Sequence, residues 1–332
     1  MVSKQKVLLI GATGNTGKDI LEGLVGAGNL ARHLFIPSSI EVIIFSRSQS
    51  ASSDKVQQLR DRGLKVIDAP SDATARDLAA ILQAIDVVVS AVGPQDQLDQ
   101  FKWIDAAKEA GVKRFVPCGF TTICPRGDVM LIHDEKEAVH DYLFKEKLPY
   151  TIIDVGYWYQ ISFPKLPSGK VDYAVAVPLD EVYAGGDAPN LLVDKRDIGK
   201  YVARIIGDPR TLNKRVIAYG EELSQNQITE IIEKLSGEKL SLKPVSAEEL
   251  RQRTKEAVDS LRKAEVKDFG SRVGVYINQY KVSKFVRADN TLQNASYLGY
   301  MDAHELYHDF KPTTFEHFFQ ETLDQKGQNP FA

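Results

Sequence analysis

Cysteine is scarce in this chain. The two present, Cys118 and Cys124, are too few and too close together for a disulfide framework, so a reducing compartment is the default. Charge of one sign is also lacking. A net charge of −3 at pH 7 gives no electrostatic reason to expect nucleic acid or an anionic membrane as a partner. No apolar run reaches the length of a membrane span. The first apolar run begins at Val7, so no signal or transit peptide is expected. A cytoplasmic location is therefore expected. Internal repeats, low-complexity tracts and flexible linkers are absent as well. What remains is an ordinary globular composition, with 43% hydrophobic residues over 332 positions, enough for one large domain or two modest ones.

The most informative feature present is the run Lys6-Val7-Leu8-Leu9-Ile10-Gly11-Ala12-Thr13-Gly14-Asn15-Thr16-Gly17-Lys18. A short apolar stretch reads as a buried strand, and Ile20, Leu21, Leu24 and Val25 continue it with helical spacing. Strand, glycine turn and helix form the dinucleotide-binding arrangement. One glycine permits the tight turn, one lets backbone approach a pyrophosphate, and one lets helix and strand pack closely. The helix N-terminus offers free N–H groups to phosphates. The spacing is G-x-x-G-x-x-G, the variant of short-chain and extended short-chain reductases. Gly11, Thr13, Gly14, Asn15, Thr16 and Gly17 are the expected cofactor contacts.

Apolar, β-branched runs then alternate with helical stretches through the first half. Strands are expected at Val7–Gly11, Glu41–Ser46, Leu64–Asp68, Asp86–Ala91, Arg114–Cys118 and Tyr150–Val155. Helices are expected at Gly17–Val25, Ser53–Arg62, Ala75–Ala84, Gln97–Ala110 and Asp134–Lys147. This pattern predicts an α/β fold, a doubly wound parallel sheet of the Rossmann type covered on both faces. The Gly26–Ser39 connection is longer than usual. After Val155 the texture changes. Aromatic Tyr157-Trp158-Tyr159 follows a strand end, and loops, a strand end and helix over Val193–Ile206, a short strand at Arg215–Ala218, and helices near 224–235, 247–267 and 303–323 come next. The expected division is a nucleotide-binding domain over 1–155 and a smaller, mostly helical substrate lobe over 156–332. Residues at about 190–220 would return to the first sheet.

The end of the second strand decides cofactor choice. An NAD site calls for an acid there, whereas a basic residue accommodates a 2′-phosphate. The chain reads Ile43-Ile44-Phe45-Ser46-Arg47-Ser48, with no acid. Arg47 can fork onto a phosphate, Ser46 and Ser48 can add hydrogen bonds, and Lys55 follows. NADPH is therefore the expected cofactor. Gly93 and Pro94 end the fourth strand, where ligands of doubly wound sheets sit. The Tyr-x-x-x-Lys pair common in short-chain reductases is missing from the helix after the fifth strand. It occurs at Tyr280/Lys284 and Tyr307/Lys311, far along the chain from the sheet ends, and is read there as chance. That helix instead offers Lys136, which borders the apolar stripe of Val139 and Leu143. His304-Glu305-Leu306-Tyr307-His308 matches H-E-x-x-H. Pro312 cuts the helix soon after, and no further ligand has the right spacing, so no metal is expected.

Beyond these motifs, the sequence resembles the NmrA-like, isoflavone-reductase-like branch of atypical short-chain dehydrogenases. The resemblance spans nearly the whole chain. It rests on Gly11-Ala12-Thr13-Gly14-Asn15-Thr16-Gly17, on Asp99-Gln100, and on the block from Ile104-Asp105-Ala106-Ala107 through Phe115-Val116-Pro117. It continues at Lys136, Leu148-Pro149-Tyr150-Thr151, Glu305-Leu306-Tyr307 and Phe310–Phe315. The family's reductases carry their catalytic lysine fourteen residues before the Pro-Tyr-Thr tyrosine, which implies Lys136. They read Pro-Ser-Glu-Phe-Gly after the fifth strand, where this chain reads Pro117-Cys118-Gly119-Phe120-Thr121-Thr122. The lost Ser and Glu argue against the family's usual phenolic substrates. Thr121 and Thr122 are the candidate replacement hydroxyls.

The expected function is an NADPH-dependent reductase of a small aromatic or unsaturated secondary metabolite, with Lys136 relaying a proton or orienting substrate. Phe120, Tyr157, Trp158 and Tyr159 are expected to line an apolar pocket. The expected partner is a small molecule, with no nucleic acid or membrane, and the chain a monomer or homodimer. Two alternatives stay open: an NmrA-type dinucleotide sensor without turnover, and the same fold running an isomerisation or ring opening.

Overall fold

The computed structural model describes residues 4–27, 40–177, 179–266 and 268–331. The long connection expected at Gly26–Ser39 lies, beyond its first two residues, outside the described residues. The chain forms two compact units, one of Met1–Phe120, Glu135–Asp154 and Arg196–Val216, the other of Thr121–Asp134, Val155–Lys195 and Ile217–Ala332. Among the described residues no helix is long and apolar enough to cross a membrane.

The first unit alternates strand and helix. In chain order it runs β1 (Gln5–Ile10), α1 (Gly17–Ala27), β2 (Ile40–Arg47), α2 (Asp54–Asp61), β3 (Lys65–Ala69) and α3 (Ala75–Ile81). It goes on through β4 (Val87–Ser90), α4 (Gln100–Glu109), β5 (Arg114–Val116), α5 (Leu131–Glu146) and β6 (Thr151–Asp154). The strands lie in the order β3-β2-β1-β4-β5, all parallel, with Leu8 opposite Ile43 on one side and Val88 on the other. A parallel bridge from Phe115 to Tyr150 brings β6 beside β5. This is the doubly wound sheet predicted from the apolar runs. The strands are continuous in Val, Ile and Leu because helices cover both faces and each strand is buried twice. One face packs Leu8, Ile10, Ile43 and Val88 against Leu78, Trp103, Ile104, Val139 and Leu143 of the helices. Strand order reverses between β1 and β4, which places a crevice at their carboxyl ends.

Element ends differ from expectation for local reasons. Helix α3 opens on a capping box between Thr74 and Asp77. Helix α4 starts later than predicted because Pro94 to Asp96 form a separate 3₁₀ turn. Strand β5 stops at Val116, where Gly119 N–H folds back onto Pro117 O and Cys118 N–H is taken by the Gln100 side chain. Helix α6 (Lys195–Ile205) and the strand Lys214–Ile217 also belong to this unit, from Arg196 to Val216. Gly23 of α1 and Gly199 of α6 touch so closely that a Cβ at either would overlap the other's backbone. Arg114 fixes the turn after α6, donating to Ile205 O at 2.6 Å, Asp208 O at 2.9 Å and Thr211 Oγ1 at 3.0 Å.

The second unit combines short strands with helices. Asn190–Val193 pairs in parallel with Tyr157–Trp158 and antiparallel with Glu221–Leu223. Glu181–Tyr183 pairs in parallel with Lys243–Val245. Helix α7 (Gln225–Ser236) begins with a Ser224–Gln227 capping box and ends at left-handed Gly237. Helix α8 (Ala247–Lys263) stops short of the predicted Lys267. Helix α9 (Phe269–Lys281), which periodicity had not suggested, runs into a π-turn at Val282–Val286. Helices α10 (Leu292–Tyr297), α11 (Ala303–Leu306) and α12 (Phe315–Leu323) complete the unit. Its core is aromatic. Tyr159, Phe163, Phe315, Phe318 and Phe319 pack together with the α7 residues Ile228 and Ile232.

Candidate functional site

At the carboxyl ends of β1, β2 and β4 lies a cleft of about 250 Å³, walled by the turn Gly11–Gly14, by Phe45, Ser46 and Arg47, and by Val92 and Gly93. The turn has the backbone such a cleft needs. Gly11 adopts φ +82°, and a Cβ there would run into the Ala91 carbonyl, so only glycine fits. A Cβ on Gly17 would overlap Gly11 O, which is the close helix–strand approach foreseen for the third glycine. Gly14 N–H donates to Gly11 O at 2.9 Å. Thr13 and Asn15 are exposed and Thr16 half-buried at the start of α1. At Gly93 an added Cβ would meet nothing nearer than Asp96 Oδ2 at 3.9 Å, so the protein leaves that space open.

The Arg47 side chain is 56% exposed and approaches Asp96 only to 3.8 Å, which leaves its fork available to an anion. Ser46 is buried and its hydroxyl donates to Arg47 O, whereas Ser48 donates to Asp68 at 2.7 Å. Lys55, on the first turn of α2, is exposed and does not line the cleft, nor does Pro94. The cleft also holds residues that sequence reasoning missed. Trp103, packed edge-on against Phe45 at 4.6 Å, and Lys102, whose amine donates to Ser71 O at 2.9 Å, both come from α4. No local spacing signals them, because they reach the cleft only through helix packing.

Lys136 lies on α5 and is buried, like its neighbours Val139 and Leu143. Its amine donates to Cys118 O at 2.8 Å and Gly119 O at 3.0 Å, with Cys118 Sγ at 3.8 Å. These acceptors belong to the loop after β5, which ends in Phe120 at φ +49°. Phe120 is buried and its N–H is bound by Ile153 O. The next residue of α5, Glu137, receives a two-pronged bond from Arg215 at 2.7 and 2.8 Å. His140 Nδ1 lies 3.2 Å from Glu137, and burial holds this histidine below its usual value.

In the second unit Thr121 Oγ1 and Tyr280 OH share a hydrogen bond of 2.8 Å, so Tyr280 is drawn to the segment that follows Phe120 in the chain. The neighbouring Thr122 hydroxyl is buried and, among the described residues, without a hydrogen-bond partner. Tyr157 and Trp158 are half-buried, with Lys284 over the Tyr157 ring and Lys195 over the Trp158 ring. Tyr159, expected at a pocket wall, is instead a core ring. It is fully buried between Phe315 and Phe318, and its hydroxyl bonds Glu221. The H-E-x-x-H residues do not share a helix, since α11 ends at Leu306. His304 stacks on Tyr219, and its Nε2 lies 2.8 Å from Tyr219 O.

Comparison with known proteins agrees with this architecture. The sequence profile of the NmrA-like family matches residues 3–319. The asnovolin J 5',6'-dehydrogenase of Aspergillus novofumigatus is 34% identical over 96% of this chain and 95% of its own. A bifunctional pinoresinol-lariciresinol reductase of Thuja plicata is 31% identical over 75% of this chain and 82% of its own. Among solved structures, the leucoanthocyanidin reductase–NADPH complex from Vitis vinifera superimposes with a TM-score of 0.76. It covers 96% of this chain and 99% of that one at 22% identity, a likeness of fold.

Proposed function

The chain belongs to the NmrA-like family, and from that premise we propose that it is an NADPH-dependent reductase of a small aromatic or unsaturated secondary metabolite. The observation that carries this reading is the cleft at the ends of β1, β2 and β4, with Gly11 in the left-handed turn and Arg47 where an acid would mark an NAD site. The relatives named above, a dehydrogenase and a reductase of secondary metabolites, support the same chemistry. The turn at Gly11 to Gly14 and the N-terminus of α1 would hold the pyrophosphate. Arg47, with Lys102 nearby, would hold the 2′-phosphate. When bound, NADPH supplies the hydride. Lys136 would position substrate or pass the accompanying proton, once its amine exchanges the Cys118 or Gly119 carbonyl for the ligand. Thr121 and Thr122 are the nearby hydroxyls in sequence that could replace the family's serine.

Titration of both cofactors tests the reading. NADPH binds more tightly than NADH, and Arg47→Ala weakens NADPH alone by about 1.5–3 kcal/mol for a lost charged hydrogen bond. Equal losses for the two cofactors would remove the phosphate role. One observation favours the second reading, a dinucleotide sensor without turnover. The Lys136 amine is already occupied by two backbone carbonyls. NADPH binding without consumption across a substrate screen would select it.

A further inference from the structure

The Tyr280/Lys284 pair, read from spacing as chance, has no part in the reduction proposed above, yet its surroundings mark it out. Lys284 sits in the π-turn that ends α9, and such turns recur at functional sites. It is only 6% exposed. Its amine stands 3.1 Å from the centroid of the Tyr157 ring and 4.6 Å from that of Phe285. Among the described residues it makes these ring contacts and no hydrogen bond or ion pair.

The acids that its chain neighbours Lys281 and Ser283 meet are committed elsewhere. Glu181 is held by Arg253 at 2.9 Å and approached by Lys281 at 3.6 Å. Asp289 is held by Arg287 at 2.8 Å and by Ser283 at 2.9 Å. The Tyr280 hydroxyl is joined to Thr121. The charge that Lys284 does feel is Lys281, of its own sign. Burial first, and then Lys281, push the Lys284 amine well below the usual lysine range. A buried amine without a counter-ion is costly, and this one is walled by aromatic faces that would stabilise it once charged.

We propose that Lys284, with the ring faces of Tyr157 and Phe285, is a subsite for the carboxylate of an aromatic or apolar acid. The ligand supplies the anion the site lacks, and its flat or apolar body lies on the rings. The binding step balances as a proton transfer. A carboxylate enters, the neutral amine takes one proton from solvent to form a fourth bond at nitrogen, and the ion pair results. If the acid arrives protonated, its own O–H breaks and that proton moves to Nζ. The inference rests on the reductase reading only in taking this acid to be the substrate.

Calorimetry on the full-length protein tests it with acid–amide pairs, 2-naphthoate against 2-naphthamide and decanoate against decanamide. Runs at about pH 8 in two buffers of different ionisation enthalpy measure proton uptake. The expected result is binding of at least one acid about tenfold or more tighter than its amide, with net proton uptake. Its affinity should fall as pH rises above the value of the free Lys284 amine. In Lys284→Met the uptake vanishes and acid and amide bind alike, while the unliganded variant melts no lower than the parent. If that variant fails to fold, the parent's proton uptake and acid preference still decide. Acids and amides binding alike, neither binding, or proton uptake that persists in Lys284→Met overturns the subsite. NADPH titrated in the same preparations separates the two readings. Its failure to bind would remove the reductase and leave the carboxylate result standing.

Discussion

The loop after β5 and the π-turn after α9 each enclose a lysine that is 6% exposed, and they treat it in opposite ways. Lys136 rises from a regular helix, and the carbonyls of Cys118 and Gly119 point back at its amine. Lys284 rises from a widened turn and faces only rings. The difference lies in what the backbone around each lysine offers. Gly119 and left-handed Phe120 fold the first loop so that two carbonyls converge. A non-glycine residue in that conformation costs roughly 1–3 kcal/mol, which charged hydrogen bonds from Lys136 can offset. The second lysine has no such loop, so its energy is left for a ligand to recover. Burial alone therefore does not identify a functional lysine, whereas its acceptors, or their lack, say whether it braces structure or waits for a partner.

The sharpest way to break this comparison is Lys136→Ala. Under the reductase reading, turnover falls about 10²–10⁴-fold, the range for a lost general acid or base, while the NADPH dissociation constant stays within a few-fold. The measurement is kcat beside cofactor affinity once a substrate is in hand. Near-normal kcat with a stability loss of about 1.5–3 kcal/mol would make Lys136 a brace for its loop and nothing more.

Lys284→Met probes the other side with a smaller effect of opposite sign. Removing a buried amine with no acceptor raises the unfolding free energy near neutral pH by about 1–3 kcal/mol. The sign with pH follows from linkage. The folded state depresses this amine, so between its folded value and the ordinary 10.5 the unfolded chain holds more protons, and parent stability rises with pH. The advantage of the variant therefore shrinks as pH climbs toward that upper value. Urea titrations at two pH values read the trend, and an advantage that grows with pH would contradict it.

The two regions also differ in how far the sequence discloses them. The cleft end of the first unit is written locally. Gly11, Gly14 and Gly17 fall within one turn of chain, Arg47 ends its own strand, and Lys136 could be placed from the stripe of Val139 and Leu143. Neighbours in sequence are neighbours in space there, because each strand–helix unit folds onto its own segment of sheet. Lys102 and Trp103 escaped notice because helix packing alone carries them to the cleft. The Tyr280 and Lys284 environment depends on Thr121 and Tyr157, more than a hundred residues earlier, and no spacing rule spans that gap. Tyr159 teaches the same point in reverse. Its place in an aromatic run suggested a pocket wall, but the strand ends at Trp158 and Tyr159 opens a 3₁₀ turn buried in the core formed with Phe315 and Phe318.

The smallest test repeats the comparison on two adjacent hydroxyls. Thr121 shares a hydrogen bond with Tyr280, while Thr122 buries a hydroxyl that, among the described residues, has no partner. Both side chains are buried, at 6% and 1% exposure, and valine matches either in shape. Thr121→Val removes its hydrogen bond with Tyr280, so it lowers the unfolding free energy by about 0.5–1.5 kcal/mol, the net worth of a hydrogen bond. Thr122→Val removes an unpaired polar atom and replaces it with a methyl of equal size. Its unfolding free energy stays level or rises by up to about 1 kcal/mol. Paired urea titrations of the two variants measure the gap directly. Equal losses at both positions would mean that Thr122 has a partner such as bound water, and that the contrast between satisfied and unsatisfied groups fails at this scale. A loss confined to Thr121 would carry the distinction between Lys136 and Lys284 down to a single hydroxyl, where no charge is involved and only the presence of an acceptor differs.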